Sequence, residues 1–77
     1  MPTIYRFEGF RFFFYSNEGN EPPHIHISKN DCEMKFWLRT LVVDYSFGFK
    51  PSEERIILKI IRNNQKRFIS EWVKFYE

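Results

Sequence analysis

The segment His24-Ile25-His26-Ile27-Ser28 reads as a polar/apolar alternation, and Glu33-Met34-Lys35-Phe36-Trp37-Leu38 repeats it after the polar pair Asn30-Asp31. Period-two patterning on both sides of a two-residue polar break predicts a β-hairpin. A reversal at Asn30-Asp31 sets Lys29 against Cys32 and fixes each later pair, because a slip of one residue would turn every side chain over. Ile27 then opposes Met34 and Ile25 opposes Phe36, which makes one apolar face. On the other face Ser28 meets Glu33, His26 meets Lys35 and His24 meets Trp37. Two imidazoles, an ammonium, an indole, a hydroxyl and a carboxylate are thereby gathered on one surface.

The rest of the chain is read around this hairpin. Thr3 to Phe7 and Phe10 to Tyr15 are β-branched and aromatic, and Glu8-Gly9 between them suits a tight turn. Phe10, Phe12 and Phe14 point one way and Arg11, Phe13 and Tyr15 the other, so aromatics on both faces predict an interior strand. Ser16 to Pro23 is dense in turn formers and predicts the main loop. Arg39-Thr40 predicts a bend before a short strand at Leu41, Val42 and Val43, and Gly48 a turn out of the sheet.

From Pro51 onward the pattern is helical. Pro51 suits the first turn, Glu53 and Glu54 complement the positive end of the helix dipole, and Ile57, Ile60, Ile61, Asn64 and Phe68 form an inward stripe. Arg55, Lys59, Arg62 and Lys66 form a basic stripe on the opposite side. One regular helix would put Ile69 and Val73 on that basic side. It would also run about 39 Å, against about 30 Å across a compact domain of this size. A break near Asn63-Asn64 is therefore expected. The fold class that results is α+β, with an antiparallel four- or five-stranded meander sheet packed against a C-terminal helical segment.

Seventy-seven residues allow a single domain, residues 1–77, near the lower limit for an unassisted core. Ten phenylalanines offer density from few positions, each worth roughly 1.5–3 kcal/mol when fully buried. Cys32 is the one cysteine, which excludes an internal disulfide and fits a reducing compartment. No apolar run approaches the ~18 residues of a membrane span, and the N-terminus lacks a signal-peptide pattern. The expectation is a soluble cytoplasmic protein with no membrane partner. A net charge of +2 does not argue for nucleic acid by itself, although the excess is C-terminal: +3 over residues 50–77 against −1 over 1–49.

Three chemistries fit the mixed face. Histidines at i and i+2 of a strand sit about 6.5–7 Å apart and can share a metal. Zinc sites take three or four protein ligands, with Glu18, Glu21 and Glu33 as candidate thirds, and Lys35 opposite His26 opposes a cation. On balance no metal and no cofactor is assigned, and a metal- or nucleotide-binding domain stays as a minor alternative. Acid–base chemistry needs a group that titrates near neutrality beside one that stabilises developing negative charge. His24, His26 and Lys35 are the catalytic candidates on that reading. Trp37, Glu18, Ser28 and Glu33 are candidates for binding a substrate or partner, with Trp37 able to stack on a base. In the structural alternative both histidines are half-exposed strand residues covered by Trp37, and the basic helix stripe is a solvated face. His24 to Ser28 also resembles the alternating strand of the histidine-triad hydrolases, with Ser28 where a third His belongs. His26-Ile27-Ser28 resembles one half of a two-histidine phosphoesterase motif without its second copy.

Several segments together carry a wider resemblance: Pro2-Thr3-Ile4, Phe13 to Glu18, Glu21 to His26, Lys35 to Leu38, Gly48-Phe49 and a closing helix with Trp72. The chain resembles, over nearly its whole length, the small bacterial "domain of unknown function 4160" family. Similar proteins are often encoded beside a second small protein, and such pairs have been proposed as toxin–antitoxin modules. The resemblance implies a cytosolic protein held by a cognate small partner and acting on RNA or translation. It carries over His24, His26, Lys35 and Trp37, with Glu18 from the matching loop. Its alternative implication is a non-enzymatic protein-binding module, the antitoxin or regulatory partner. Homo-oligomerisation is compatible with either.

Overall fold

The computed structural model describes residues 2–76. Five strands, β1 (Thr3–Phe7), β2 (Phe10–Phe13), β3 (His24–Lys29), β4 (Cys32–Trp37) and β5 (Val42–Phe47), are followed by α1 (Pro51–Asn63) and α2 (Gln65–Tyr76). The strands form one antiparallel sheet in chain order, a meander. Each strand pairs only with its sequence neighbours, so short reversals suffice. Glu8 and Gly9 both take positive φ (45° and 90°), the backbone of a tight hairpin whose twist matches its strands. Asn30, at φ 55°, reverses the central hairpin, and asparagine enters that region more readily than most side chains.

The central register is the one that the alternation dictates, from Lys29 against Cys32 to His24 against Trp37. Ile25, Ile27, Met34 and Phe36 are buried, together with Phe10, Phe12 and Phe14 from β2 and its extension. Against this face α1 contributes Ile57 and Ile61, and α2 contributes Phe68 and Trp72. Tyr5 and Phe12 both pack on Phe68, at centroid distances of 5.7 Å (Tyr5–Phe12), 5.9 Å (Tyr5–Phe68) and 5.9 Å (Phe12–Phe68). The apolar side of the sheet thus becomes the core, and the polar side is left for other uses.

The helical segment does break. Asn64 leaves helical geometry (φ −120°, ψ 16°), its N–H reaches the Ile60 and Ile61 carbonyls, and its side-chain Nδ2 donates to Ile60 O at 2.8 Å. Asparagine offers the backbone this local alternative to helix continuation. The result fits a molecule of 34 × 22 × 21 Å with a radius of gyration of 11.4 Å. Glu53, at the third helical position, accepts from the Lys50 N–H at 2.9 Å, so the start of α1 is capped from within.

Two strand boundaries differ from expectation. β2 ends at Phe13 rather than Tyr15, because the chain leaves the ladder there toward the 16–23 loop. The last strand is Val42–Phe47, longer than Leu41 to Val43 and starting one residue later. Leu41 has φ 59° and belongs to the reversal after Trp37, where its N–H bonds to the Trp37 carbonyl. A register shift between Lys35 and Phe36 opposite β5 also disturbs the alternation that would have revealed Asp44 to Phe47 as strand.

Candidate functional site

The polar face of β3 and β4 is closed over by the 16–23 loop. Pro22 and Pro23 bias the chain into an extended approach to β3, and Leu38 N–H bonds to the Pro23 carbonyl at 3.0 Å, which ties loop and strand together. This geometry lowers Glu18 onto the two histidines. Glu18 Oε1 lies 2.8 Å from His24 Nε2 and 2.8 Å from His26 Nε2. Both imidazoles are buried, at 1% and 2% exposure, rather than half-exposed. Burial raises the Glu18 carboxyl, but the two imidazole hydrogen bonds and their charge outweigh that and hold it below its ordinary value.

Aromatic rings orient the imidazoles. Trp37 meets His24 edge-on at 5.3 Å, as the register requires. Tyr15 packs edge-on to His26 at 4.4 Å and Phe13 stacks on it at 5.7 Å. Trp72 reaches within 6.5 Å of His24 from α2, and Tyr76 donates from its hydroxyl to the Tyr15 carbonyl. The last turn of α2 therefore braces the strand end that carries His24.

Two further polar groups flank this centre. Lys35 Nζ lies 2.8 Å from Glu21 Oε1 and 3.4 Å from Asp44 Oδ2, over the Trp37 ring at 4.6 Å. Desolvation lowers its pKa, but the two carboxylates prevail and raise it, so the ammonium is held charged and paired. Glu33 accepts from Tyr45 Oη at 2.7 Å and from Tyr15 Oη at 3.3 Å, and its Oε2 lies 3.6 Å from His26 Nδ1. Burial first, then the Glu33 carboxylate, raises both phenols.

The structure thus brings together His24, His26, Lys35, Trp37, Glu18 and Glu33. Ser28 lies on the same face nearer the turn, opposite Glu33 and Arg11. Arg55, Lys59, Arg62 and Lys66 are exposed on the outer side of the helices, away from this face. Asp44, Tyr45 and Tyr15 belong to the site and are not assigned from sequence; extending the pairing beyond Arg39-Thr40 sets Asp44 opposite Lys35, and the register shift between Lys35 and Phe36 brings Tyr45 there instead. Glu21 was foreseen only as a metal ligand, whereas it neutralises Lys35.

Electrostatically the face is acidic. Glu18, Glu21, Glu33 and Asp44 surround Lys35 and two imidazoles, and Arg11 adds a cation at the margin, over Phe13 at 4.4 Å. Among the described residues, one group of histidine and carboxylate atoms has the spacing to hold a metal ion: Glu18, His24 and His26, with ligand atoms within 4.8 Å of one another. This spacing comes from the strand period and the loop closure together.

A family described as Domain of unknown function (DUF4160) matches residues 9–73. The chain belongs to this family. The matched span includes the loop, both histidines, the whole of β4 and β5, and the helices through Val73, so the candidate site lies wholly within the shared domain. No curated protein and no solved structure matches the chain. Among the described residues no helix is long and apolar enough to cross a membrane.

Proposed function

We propose that this domain is the toxin-like member of a two-protein toxin–antitoxin module, docked to its small cognate partner through β5. In this reading the His24/His26/Lys35/Trp37 face is its effector surface toward RNA or a translation component. The observation that carries the docking is the edge strand itself. All six residues of β5 are exposed, with Val42, Val43, Tyr45 and Phe47 among them and Phe47 72% exposed. An open edge with apolar side chains is a liability for a lone domain and a template for an added strand. Beside it, a groove of about 460 Å³ between β5 and α1 is lined by Phe36, Leu41, Val43, Pro51 and Leu58, with Glu54 and Arg55 at its rim. An extended segment of a partner that pairs with β5 has a place there for its apolar side chains.

The toxin-like assignment rests on the polar face. Burying two imidazoles among carboxylates costs folding free energy that a surface built only for docking has no use for. The non-enzymatic alternative is favoured by one specific feature: both imidazoles are shielded and Lys35 is neutralised, which leaves β5 as the accessible contact surface.

Expression without and with the partner separates the readings. Growth arrest by the chain alone, relieved by His24→Ala, His26→Ala or Lys35→Ala, supports the effector role. Absence of arrest, with partner co-purification abolished by Phe47→Asp, supports the purely binding role. A chain that neither arrests growth nor retains the partner overturns both, and self-association through β5 into a homodimer would replace the partner-docking reading.

A further inference from the structure

The hydrogen-bond inventory of the two imidazoles does not close while both rings are neutral. His24 Nδ1 lies 2.9 Å from the Pro22 carbonyl, which only accepts, so Nδ1 carries a hydrogen and donates. In neutral His24 this leaves a bare lone pair on Nε2, pointed at a Glu18 carboxylate oxygen 2.8 Å away. His26 has the same difficulty. Its Nε2 faces Glu18 at 2.8 Å, and its Nδ1 is buried without a hydrogen-bond partner, 3.6 Å from the Glu33 carboxylate. Oxygen acceptors therefore flank four ring nitrogens, and two neutral imidazoles supply two N–H groups. The face is short of positive charge where the two Nε2 atoms and Glu18 converge.

From this geometry we infer that Glu18, His24 and His26 form a binding site for a divalent transition-metal ion of the zinc type. One cation at the point of convergence meets both lone pairs and the carboxylate, and lets each Nδ1–H face outward, His24 to Pro22 and His26 to Glu33. A backing carbonyl or carboxylate on the far ring nitrogen is the usual way in which a ligating histidine is oriented. Two imidazole nitrogens and one carboxylate oxygen suit zinc, and three protein ligands leave a position for water. In a tetrahedral zinc site with bonds near 2.0–2.1 Å, ligand atoms lie about 3.3 Å apart. The present 2.8 Å contacts thus open by about half an ångström on metal entry, within reach of a side chain carried by a loop. The Glu18 side chain is 23% exposed, so the outer coordination position meets solvent. Lys35, opposite His26 in the register, is already neutralised by Glu21 and Asp44 and does not repel the ion as its sequence position suggested.

This site stands independently of any partner or toxicity. The test uses the full chain, free of any polyhistidine tag, stripped with chelator and titrated with Zn²⁺ by calorimetry. Co²⁺ absorption reads the coordination geometry. Binding of one ion per chain is expected, with four-coordinate Co²⁺ bands. Glu18→Gln and His26→Gln, each checked for folding by circular dichroism, should weaken binding at least about 100-fold. Glu33→Gln, at a carboxylate that faces His26 only at its outer nitrogen, should weaken it about 10–100-fold. Nitrogen-15 spectra of the wild-type histidines should shift at Nε2 and keep Nδ1 protonated. Failure to bind Zn²⁺ stoichiometrically, affinity unchanged in folded Glu18→Gln and His26→Gln, or histidine spectra identical with and without Zn²⁺ would each overturn the assignment. In that event doubly protonated imidazoles supply the missing charge.

Discussion

Glu18→Gln in the metal-free chain isolates what the loop carboxylate does for the fold. In that chain Glu18 Oε1 lies 2.8 Å from the Nε2 of each buried imidazole, and a hydrogen bond to a charged group contributes about 1.5–3 kcal/mol for each ring that donates. Glutamine keeps a carbonyl acceptor but loses the charge, and the Glu18 side chain is partly solvated. These discounts bring the expected loss to roughly 2–3 kcal/mol at neutral pH. A domain of this size is stable by roughly 4–12 kcal/mol. With a urea slope near 1 kcal/mol per molar, the midpoint should fall by about 2–3 M. The pH dependence adds a second constraint. The folded carboxyl sits below its ordinary value of 4.5, so its contribution is present above that pH and lost as pH falls through the folded value. Protonated Glu18 resembles glutamine, and the gap between the proteins should close in that acid range. Urea titrations in chelator, followed by tryptophan fluorescence at neutral and acid pH, measure both effects. A neutral-pH difference under about 0.5 kcal/mol, the usual range of a surface substitution, or a gap that persists in acid would refute the role given to Glu18.

Two further outcomes are expected. Gly48→Ala should destabilise by about 1–3 kcal/mol in thermal or urea unfolding, because the position has φ 87° and a new Cβ would meet Cys32 Sγ at 2.9 Å. Alkaline titration should weaken the fold above pH 10: burial and the Glu33 carboxylate raise the Tyr15 and Tyr45 phenols, so the unfolded chain ionises first and is favoured as pH rises. Lys35, with its pKa raised by Glu21 and Asp44, loses its contribution in the same direction as pH rises through its folded value, and absorbance-monitored unfolding at rising pH checks both.

The central hairpin was legible because its alternation leaves one register that buries Ile25, Ile27, Met34 and Phe36. The helix break was legible from a phase shift and a length that the domain could not hold. What covers the histidines was not. A loop has no period, so nothing in Ser16 to Pro23 said that Glu18 would fall between two imidazoles while Glu21 went to Lys35. The far side of the site was hidden for another reason. A register irregularity opposite Lys35 and Phe36 breaks the pattern of β5, which concealed Asp44 and Tyr45. Burial of the histidines follows from those same unseen pieces, the loop lid and the Tyr15 and Trp72 rings.

A meander places most contacts between stretches of chain that are close in sequence, and such topologies reach the native state quickly. The exceptions here join the extremes: Tyr76 to the Tyr15 carbonyl and Arg67 to the Ile4 carbonyl at 3.5 Å. The His24 end of the sheet is therefore finished by the last turn of α2, the most C-terminal element of the fold. Until that turn docks, the loop bearing Glu18 lacks its brace, and the polar centre acquires its final form only when the whole domain has been made.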